Sequence, residues 1–485
     1  MGIRTGVQYK ESLRDGRRLF IDGQVVTDVT GYEPFRRVIN TVAATFDLQH
    51  DLRYQDVITY ISPSSGERVS KTYLPARTHA EFHERLRCDY ARTQYTYGMM
   101  GRLTDFMSAF LLDQELALRV SGFDEAAART QAYIDRCREQ DLCITHALID
   151  PQSDRSRTSA PMEGTHIVER RADGVVVSGA RLLSTLAPIA NECYVGPFYP
   201  RQPGEEDFAV VFSMPMNAPG LKIVARESYD KGRSLFDRPL SGRFDEGDAI
   251  LVFDNVFIPD ERVMIAGNID AYNSLIGRAP GYVGIQATAR STAKLRFITG
   301  LCELVAQANG RAKSPRHQEM IGELVGLVHL AEGLQKATCL EGVEYIEALE
   351  SGNLFKPREQ LGEPVYAGAA GFAGLTLFFP QANTQALEIL KNIIGSGAIA
   401  MTEADYENPE LKPLIDRLLI GPGIDARHRL QLMKLAWDMT AEQFGSRQHL
   451  YEKYYSGDPI RNRLNWYQHP KLLECADLVK HLLEW

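Results

Sequence analysis

His146 and a cluster of polar side chains lie within one short stretch of the sequence, THALIDPQSDR, at residues 145–155. An imidazole changes its charge near neutral pH, so it can move a proton or hydrogen-bond a charged ligand. The Asp-Pro pair in the stretch favours a turn, and Gln152 to Arg155 place donors and acceptors on the loop that follows. These residues alone are compatible with a catalytic histidine and with a structural one, and the structural role is the more common in proteins.

The elements that must position this stretch change character along the chain. Between residues 80 and 140, apolar side chains recur at three- and four-residue steps, which predicts helices. Short runs rich in β-branched residues follow between residues 164 and 265, separated by Gly, Pro and Asp turns. From residue 272 onward the helical period returns in long segments, which indicates a helical bundle.

These patterns predict three domains: an N-terminal α-helical domain at residues 1–145, a central β domain at 146–271, and a C-terminal helical bundle with a terminal tail helix at 272–485. The expected fold class is mostly α with a central antiparallel β domain of barrel or sandwich type. This order resembles the acyl-CoA dehydrogenase-like fold, in which an α domain, a β barrel and a C-terminal four-helix bundle follow one another. A likeness of architecture carries no function by itself.

The composition limits the class of protein. A chain of 485 residues exceeds the size at which one hydrophobic core stops growing, so two or three packed units are expected. The formal net charge of −9 disfavours nucleic acid or an anionic membrane surface as the main partner. The N-terminal residues lack the apolar core of a signal peptide, and no stretch of about 18 apolar residues occurs. We therefore expect a cytoplasmic protein that binds neither nucleic acid nor membranes.

Metal and nicotinamide sites are not predicted. The seven cysteines are scattered, without a C-x-x-C pair and without histidines at ligand spacing, so zinc, iron–sulfur and disulfide frameworks are disfavoured. No G-x-G-x-x-G fingerprint follows a predicted strand, so reduction by NAD(P)H within this chain has no support.

Six segments spread along the chain resemble the oxygenase component of two-component, FADH2-dependent phenol hydroxylases, the 4-hydroxyphenylacetate 3-monooxygenase family. They occur in the family's order over about 450 residues, which is more specific than any one of them. The segments are YKESLRDGRRLFIDGQVVTDVTGYEPFR (9–36), MGRLTDF (100–106), THALIDPQSDR (145–155), VVVSGARLLST (175–185), SGRFDEGDAILVFDNVFIP (241–259) and MKLAWDMTAEQFGSRQHLYEKYYSGD (433–458).

The resemblance implies an activity and its partners. Such an enzyme hydroxylates a phenolic substrate ortho to its hydroxyl group, using reduced FAD and O2 through a flavin C4a-hydroperoxide. A separate flavin reductase delivers the FADH2 by diffusion, and the oxygenase is a homodimer or homotetramer. The substrate implied is a phenolic small molecule, either free or linked to a carrier.

The resemblance also implies site residues, position by position. Fixed donors would hydrogen-bond the peroxide and stabilise the alkoxide that remains, and a base or cation would favour the phenolate. Arg102 and His146 are the expected catalytic residues, and His146 suits either need. The expected flavin ligands are His146, Gln152, Ser153, Asp154, Arg155, Thr185, Gly395, Gly397 and Arg447, the last from a neighbouring subunit. The expected substrate contacts are Arg102, Phe106, His146, Tyr199 and Arg201.

This chain departs from the family pattern at three places. One is residues 281–290, where some relatives that act on chlorinated or nitrated phenols carry a histidine and this chain has none, which disfavours a dehalogenating role. Phe106 stands where the 4-hydroxyphenylacetate hydroxylases usually have a tyrosine, so a pocket hydroxyl is missing. The Pro-rich segment after Thr185, which includes Tyr199 and Arg201, differs from the archetype, so we expect a different phenol, larger or carrier-linked. On an exposed loop, Arg201 has two open roles: an ion pair with a substrate carboxylate, or simple solvation.

Two alternatives remain beside the hydroxylase. The 4-hydroxybutyryl-CoA dehydratase relatives share the fold but need cysteines for an iron–sulfur cluster. Thr96 and Met100 occupy the positions of the first cysteine pair and Cys302 stands alone, which disfavours the dehydratase. A non-catalytic flavin-binding protein is the second alternative, and the presence of Arg102, His146 and the loop at 152–155 argues against it.

Overall fold

The computed structural model describes residues 2–152, 163–276, 281–353, 358–360 and 363–485. The chain divides into two compact units, Met1–Arg290 and Ser291–Trp485. The first unit contains both the predicted helical domain and the predicted β domain. The division into three domains therefore stays a prediction.

The helices of the first unit surround two β-sheets. Thr78 and Glu81 form a capping box that begins the helix after residue 78, and Asp141 in the left-handed region ends the last helix of the predicted 80–140 run. That run is confirmed as three helices, α4 to α6. The helices are α1 Gly6–Ser12, α2 Glu33–Asp47, α3 Gln55–Ile58, α4 His79–Tyr95, α5 Thr104–Val120, α6 Asp124–Gln140, α7 Ser241–Phe244, α8 Ile269–Ser274 and α9 Tyr282–Ala308, which continues into the second unit.

The strands of the first unit follow the predicted β-rich runs and add several short ones. Those between residues 164 and 265 are confirmed. The strands are β1 Leu19–Ile21, β2 Gln24–Val26, β3 Thr59–Ile61, β4 Arg68–Ser70, β5 Ile144–Ala147, β6 His166–Arg171, β7 Gly174–Thr185, β8 Glu192–Val195, β9 Val210–Pro215, β10 Leu221–Ala225, β11 Asp248–Pro259 and β12 Val263–Ala266.

Two sheets carry most of these strands. The larger has the order β2-β1-β10-β11-β7-β6, and the smaller has the order β12-β9-β8-β5. The strands between residues 164 and 265 pair with one another in antiparallel fashion, as expected, and the parallel pairs β1–β10 and β5–β8 each add a strand from outside that range. Both β1 and β5 come from the part of the chain predicted to be helical, and long connections separate them from their partners, as parallel pairing requires.

The second unit is helical, and its long helix α13 packs against α10, α16 and α17. The side chains of Ala386, Leu390 and Ile393 are buried on α13, which agrees with the predicted bundle. The elements that follow α9 are α10 Pro315–Leu340, α11 Gly342–Glu350, β13 Arg358–Gln360, β14 Glu363–Val365, α12 Ala369–Ala373, α13 Phe379–Ile394, α14 Glu403–Glu407, α15 Lys412–Leu418, α16 Ala426–Thr440, α17 Gln443–Tyr454, α18 Pro459–Tyr467 and α19 Lys471–Leu483.

One apolar run that predicts a single helix is divided in the structure. The run at residues 428–455 forms α16 and α17, which are separated at Ala441 and Glu442. Glu442 has extended backbone as the N-cap of α17, and its carboxylate accepts a hydrogen bond of 2.6 Å from the Trp437 indole. In the part of the chain that the structure describes, no helix combines the length and apolar character of a membrane span.

Candidate active site

β5 holds His146 in a fixed position. All four residues of this strand are buried, and His146 lies opposite Tyr194 in the pairing with β8. The end of β7 also contacts β5, because Ser184 Oγ donates a hydrogen bond of 2.7 Å to the His146 carbonyl oxygen. The Thr145 hydroxyl donates to the carbonyl oxygen of Thr185. The backbone around the histidine is therefore set by two strands.

The imidazole of His146 is buried, and neither ring nitrogen has a hydrogen-bond partner among the described residues. Burial, with the positive charge of Arg102 as a second cause, lowers the pKa of His146 to about 3. The ring is therefore neutral at neutral pH, with one nitrogen as donor and the other as acceptor. Because buried polar groups in proteins nearly always have partners, this arrangement indicates a ligand that the chain itself does not supply.

Arg102 and Phe106 complete a cluster with His146. Arg102 precedes the N-cap of α5 and Phe106 lies in the first turn of the helix, so the two residues are close along the chain. The Arg102 Cζ lies 4.1 Å from the centroid of the Phe106 ring, which is within the range of a cation–π interaction. The Phe106 and His146 ring centroids are 5.8 Å apart. The structure thus places three of the predicted site residues side by side.

A buried carboxylate sets the backbone at Arg102. The amide nitrogen of Arg102 donates a hydrogen bond of 3.0 Å to Glu246 Oε1. Glu246 is buried between α7 and β11, within the segment SGRFDEGDAILVFDNVFIP. It is absent from the predicted site residues, and its only sequence signal is its place in that segment.

Aromatic side chains continue from Phe106 along one face of α5. The Phe106 and Phe110 rings are stacked with centroids 6.0 Å apart, and Phe110 meets Tyr194 edge-on at 5.9 Å. Burial raises the pKa of the Tyr194 hydroxyl, so this tyrosine is neutral at neutral pH. Flat apolar surfaces of this kind pack well against a planar aromatic ring.

Thr185, expected near the flavin ring, ends β7 next to the strand of His146. Its hydroxyl donates a hydrogen bond of 2.7 Å to Asp248 Oδ1 on β11, directly opposite in the sheet. With the hydrogen used in this way, the oxygen keeps a lone pair as an acceptor. Its contact with flavin stays a prediction.

The predicted flavin loop is partly described. Gln152 Nε2 donates a hydrogen bond of 3.4 Å to the Tyr199 hydroxyl, so these two predicted residues lie together. Tyr199 also contacts the neighbouring Phe198 ring edge-on at 4.9 Å. Ser153, Asp154 and Arg155 lie outside the described residues.

Arg201 is not on an exposed loop, and that expectation is wrong. Its side chain is buried, and Nη2 donates a hydrogen bond of 2.7 Å to Asp150 Oδ2. Asn273 of α8 binds both the backbone nitrogen and the backbone oxygen of Arg201, which draws the loop inward. Since the buried guanidinium of Arg201 already pairs with Asp150, we no longer assign Arg201 to a substrate carboxylate.

Asp150 and Arg181 form a buried cluster with Arg201 that the sequence did not reveal. Arg181 on β7 is fully buried, and its Nη1 donates a hydrogen bond of 2.5 Å to Asp150 Oδ1. The carboxylate of Asp150 therefore joins β7, the segment that leads to Gln152 and the loop that carries Tyr199. The only sequence signals are an arginine within an apolar strand and an aspartate before proline.

Three predicted flavin ligands lie in the second unit. Gly395 and Gly397 belong to an exposed turn of 3-10 helix, Gly395–Ala398, after α13. Gly395 has φ of +56°, and no atom lies within 4 Å of the place a Cβ would take, so the turn leaves space for a ligand. Arg447 on α17 is half-buried with its Cζ 4.5 Å from the Tyr451 ring centroid. Their roles toward flavin stay predictions.

No metal centre accompanies these residues. Within the described ranges, His, Cys, Asp and Glu side chains nowhere gather in a group of three or more that could hold a metal ion.

Two family models match most of the chain. The model described as "4-hydroxyphenylacetate 3-hydroxylase N terminal" matches residues 5–265. The model described as "4-hydroxyphenylacetate 3-hydroxylase C terminal" matches residues 281–484.

Curated relatives align over nearly the whole length. The 4-hydroxyphenylacetate 3-monooxygenase oxygenase component of Geobacillus sp. (strain PA-9) is 33% identical over 479 residues, which cover 95% of this chain and 92% of the relative. A Streptomyces globisporus monooxygenase, named for the (3S)-3-amino-3-(3-chloro-4-hydroxyphenyl)propanoyl group on a peptidyl-carrier protein, is 30% identical. That alignment covers 95% of this chain and 86% of the relative.

Solved structures confirm the fold. The oxygenase component of 4-hydroxyphenylacetate 3-monooxygenase, complexed with FAD and 4-hydroxyphenylacetate, superposes with a TM-score of 0.87 at 32% identity, covering 99% of both chains. The acyl-CoA dehydrogenase-like architecture expected from the sequence is thereby confirmed. An archaeal 4-hydroxybutyryl-CoA dehydratase from N. maritimus has a TM-score of 0.82 at 22% identity, which is a likeness of fold alone.

Proposed function

This chain belongs to the 4-hydroxyphenylacetate 3-hydroxylase family, and from that premise we propose that it hydroxylates a phenol at the carbon next to the phenolic hydroxyl group. It is a flavin-dependent aromatic monooxygenase, the oxygenase component of a two-component system, with FAD as cofactor and O2 as co-substrate. In this proposal the bound reduced flavin supplies an electrophilic oxygen atom, through the C4a-hydroperoxide expected from the sequence.

One observation carries the proposal: the buried imidazole of His146 has no partner among the described residues, and it lies beside Arg102 across the ring of Phe106. A neutral donor–acceptor, a fixed cation and a flat apolar surface suit a planar aromatic substrate that lies against a flavin. The same three groups match the needs of oxygen transfer, because charge develops on oxygen atoms as the reaction proceeds.

Arg102 and His146 have different roles in this proposal. Since burial holds the pKa of His146 at about 3, the imidazole is a weak base in the protein and serves as a hydrogen-bond partner to oxygen. The guanidinium of Arg102 is a cation, so it stabilises the phenolate form of the substrate and the oxygen anion that remains after transfer. Phe106 and Phe110 exclude water from the reacting atoms.

The pocket of this chain differs from that expected for a 4-hydroxyphenylacetate hydroxylase, and so should its substrate. Phe106 offers no hydroxyl to the pocket, and the guanidinium of Arg201 is held by Asp150. The part of the substrate beyond its phenol ring is thus recognised by other groups, which suits a larger or carrier-linked phenol. The Streptomyces relative is named for a substrate on a peptidyl-carrier protein, which supports testing both free and carrier-linked phenols as substrates.

The proposal includes partners and a location. A separate flavin reductase supplies FADH2 by diffusion, and the oxygenase is a homodimer or homotetramer in which Arg447 of one chain meets the flavin of another. The protein acts in the cytoplasm. Sedimentation of the active enzyme tests the assembly, and an active monomer would contradict it.

The decisive experiment measures product. We expect catechol from purified protein mixed with reduced FAD, oxygenated buffer and a panel of phenols: phenylacetates, free and carrier-bound tyrosine derivatives, and halophenols. Rapid mixing without a phenol should give a long-lived flavin absorbance change, because a dry site protects the oxygenated cofactor from breakdown. Flavin binding without that change and without catechol would instead favour a non-catalytic flavin-binding protein.

A further inference from the structure

A second cleft lies on the first unit, between α2, the C-terminal end of α4 and α7. It encloses about 460 Å³, which is within the range of small-molecule sites. None of the predicted site residues lines it. Two lining residues are near site residues in sequence, since Tyr97 precedes Arg102 by five residues and Phe244 precedes Glu246 by two.

The cleft carries an excess of positive charge. Arg37 has a counter-ion, since its Nη1 lies 3.1 Å from Asp230 Oδ1. Arg243 is half-buried and donates to the Pro239 carbonyl oxygen at 2.6 Å, with no carboxylate within 4.0 Å among the described residues. Burial, together with the nearby charge of Arg37, lowers the pKa of Arg243. Of the two guanidinium groups in the cleft, only that of Arg37 is paired with a carboxylate among the described residues.

The remaining polar and aromatic groups indicate the kind of ligand. The Gln94 Nε2 is buried without a hydrogen-bond partner in the described parts of the chain. This donor and the guanidinium groups call for an acceptor, and an unneutralised guanidinium favours an anionic one. Tyr95 and Tyr97 are 40% and 48% exposed, and the Tyr97 ring meets Phe244 edge-on with centroids 6.1 Å apart. Aromatic rings at the mouth favour a ligand with a ring of its own.

We propose that this cleft is a binding site for an aromatic carboxylate, separate from the pocket at Arg102 and His146. The carboxylate pairs with Arg243 and accepts a hydrogen bond from Gln94, while the aromatic ring packs against Tyr97. The site does not depend on the hydroxylase activity, because it needs neither flavin nor oxygen.

The test measures binding of phenylacetate to the purified full chain by calorimetry, without flavin. We expect Arg243→Gln and Tyr97→Leu each to weaken binding in the cleft by about tenfold or more. Arg102→Gln should leave this binding unchanged. The matched control is Arg36→Gln, which removes an exposed arginine of α2 that pairs with Glu33 outside the cleft.

Two comparisons make the proposal falsifiable. Binding that is lost in Arg102→Gln and kept in Arg243→Gln would place phenylacetate in the other pocket and overturn it. Inorganic phosphate bound as tightly as phenylacetate would overturn the aromatic part, since a simple anion site needs no ring. Because Arg243→Gln removes no counter-ion from another charge, its circular dichroism and Tm should match those of wild type, and Arg243→Lys should retain part of the binding.

Discussion

Two buried clusters in the first unit contain arginines, and they differ in how their charges and polar groups are satisfied. Around Asp150, one carboxylate binds the guanidinium groups of Arg181 and Arg201 at 2.5 and 2.7 Å. Around His146, the imidazole has no partner in the described chain, and Arg102 lies over an aromatic ring. In the first cluster both guanidinium groups have a carboxylate partner, although Arg181 Nε and Nη2 make no hydrogen bond among the described residues, whereas in the second neither nitrogen of the imidazole has a partner there.

The difference teaches how to distinguish a structural polar cluster from a binding one. A polar group in the interior loses its water, and the chain normally compensates with an internal partner. Where an internal carboxylate supplies this compensation, as at Asp150, the residues hold elements together. Where it is missing, as at His146, a bound ligand can restore the lost interactions.

The largest expected effect comes from removing the carboxylate of Asp150, which Arg181 and Arg201 share. Asp150→Ala leaves two buried guanidinium groups without a counter-ion, so we expect the free energy of unfolding to fall by about 3–5 kcal/mol. Urea denaturation measures this loss in the free energy of unfolding. As a control, Asp254→Ala removes the carboxylate of the exposed pair with Lys222 and should change the value by about 1 kcal/mol or less. Equal losses in the two variants would show that burial does not distinguish the pairs.

Removing Arg102 should affect activity rather than folding. Arg102→Ala deletes the cation that stabilises developing negative charge, so we expect catechol formation to slow by about 10²–10³-fold. Initial rates of product formation measure the loss, and the Tm should shift little because the Arg102 side chain is only half-buried. Arg53→Ala removes an exposed arginine outside the site and should keep the full rate. A fully active Arg102→Ala enzyme would place the chemistry elsewhere.

His146 should make stability depend on pH. Its pKa is about 3 in the folded protein against about 6.5 in an unfolded chain, so below pH 6.5 the unfolded chain binds a proton that the folded one does not. The free energy of unfolding therefore falls as pH decreases from 6.5 toward 3, by at most about 1.4 kcal/mol per pH unit from this residue.

The measurement compares wild type with His146→Phe in urea at pH 7.5, 6 and 5. The variant should show the smaller fall in stability. Burial raises the pKa of Asp89 to about 7 and that of Asp113 to about 6, and these carboxyl groups stabilise in the opposite direction. They are the same in both proteins, so the difference between the two curves isolates His146. Parallel curves would mean that the imidazole is solvated or paired.

The smallest expected effect comes from adding a hydroxyl group to the cluster of Arg102, Phe106 and His146. Phe106→Tyr supplies a donor and acceptor beside Arg102 and His146 while keeping the ring over which the guanidinium lies. We expect stability to change by about 1 kcal/mol or less, and the ratio of kcat/KM for 4-hydroxyphenylacetate to that for other phenols to rise. Phe123→Tyr, at the N-cap of α6 and outside this cluster, is the control. An unchanged ratio would show that Phe106 does not select the phenol.

Local patterns made much of the fold and part of the site predictable. The segment MGRLTDF carries both Arg102 and Phe106, which the resemblance assigned to one site, and the structure places their side chains in contact. By contrast, β1 and β5 have three and four residues, too few to show an alternating pattern, so their parallel pairing was not foreseen. The burial of Arg201 depends on Asp150, 51 residues away in sequence, and no local pattern encodes such a partner.

The placement of His146 and Phe106 on different kinds of element has a consequence for evolution and engineering. The histidine belongs to a strand that is hydrogen-bonded within a sheet, whereas Phe106 and Phe110 stand one turn apart on a single face of α5. A side chain on the helix face can be exchanged without altering any strand register. New phenols can therefore be accommodated by substitutions on one helix, while the sheet preserves the hydrogen-bonding group that the reaction requires.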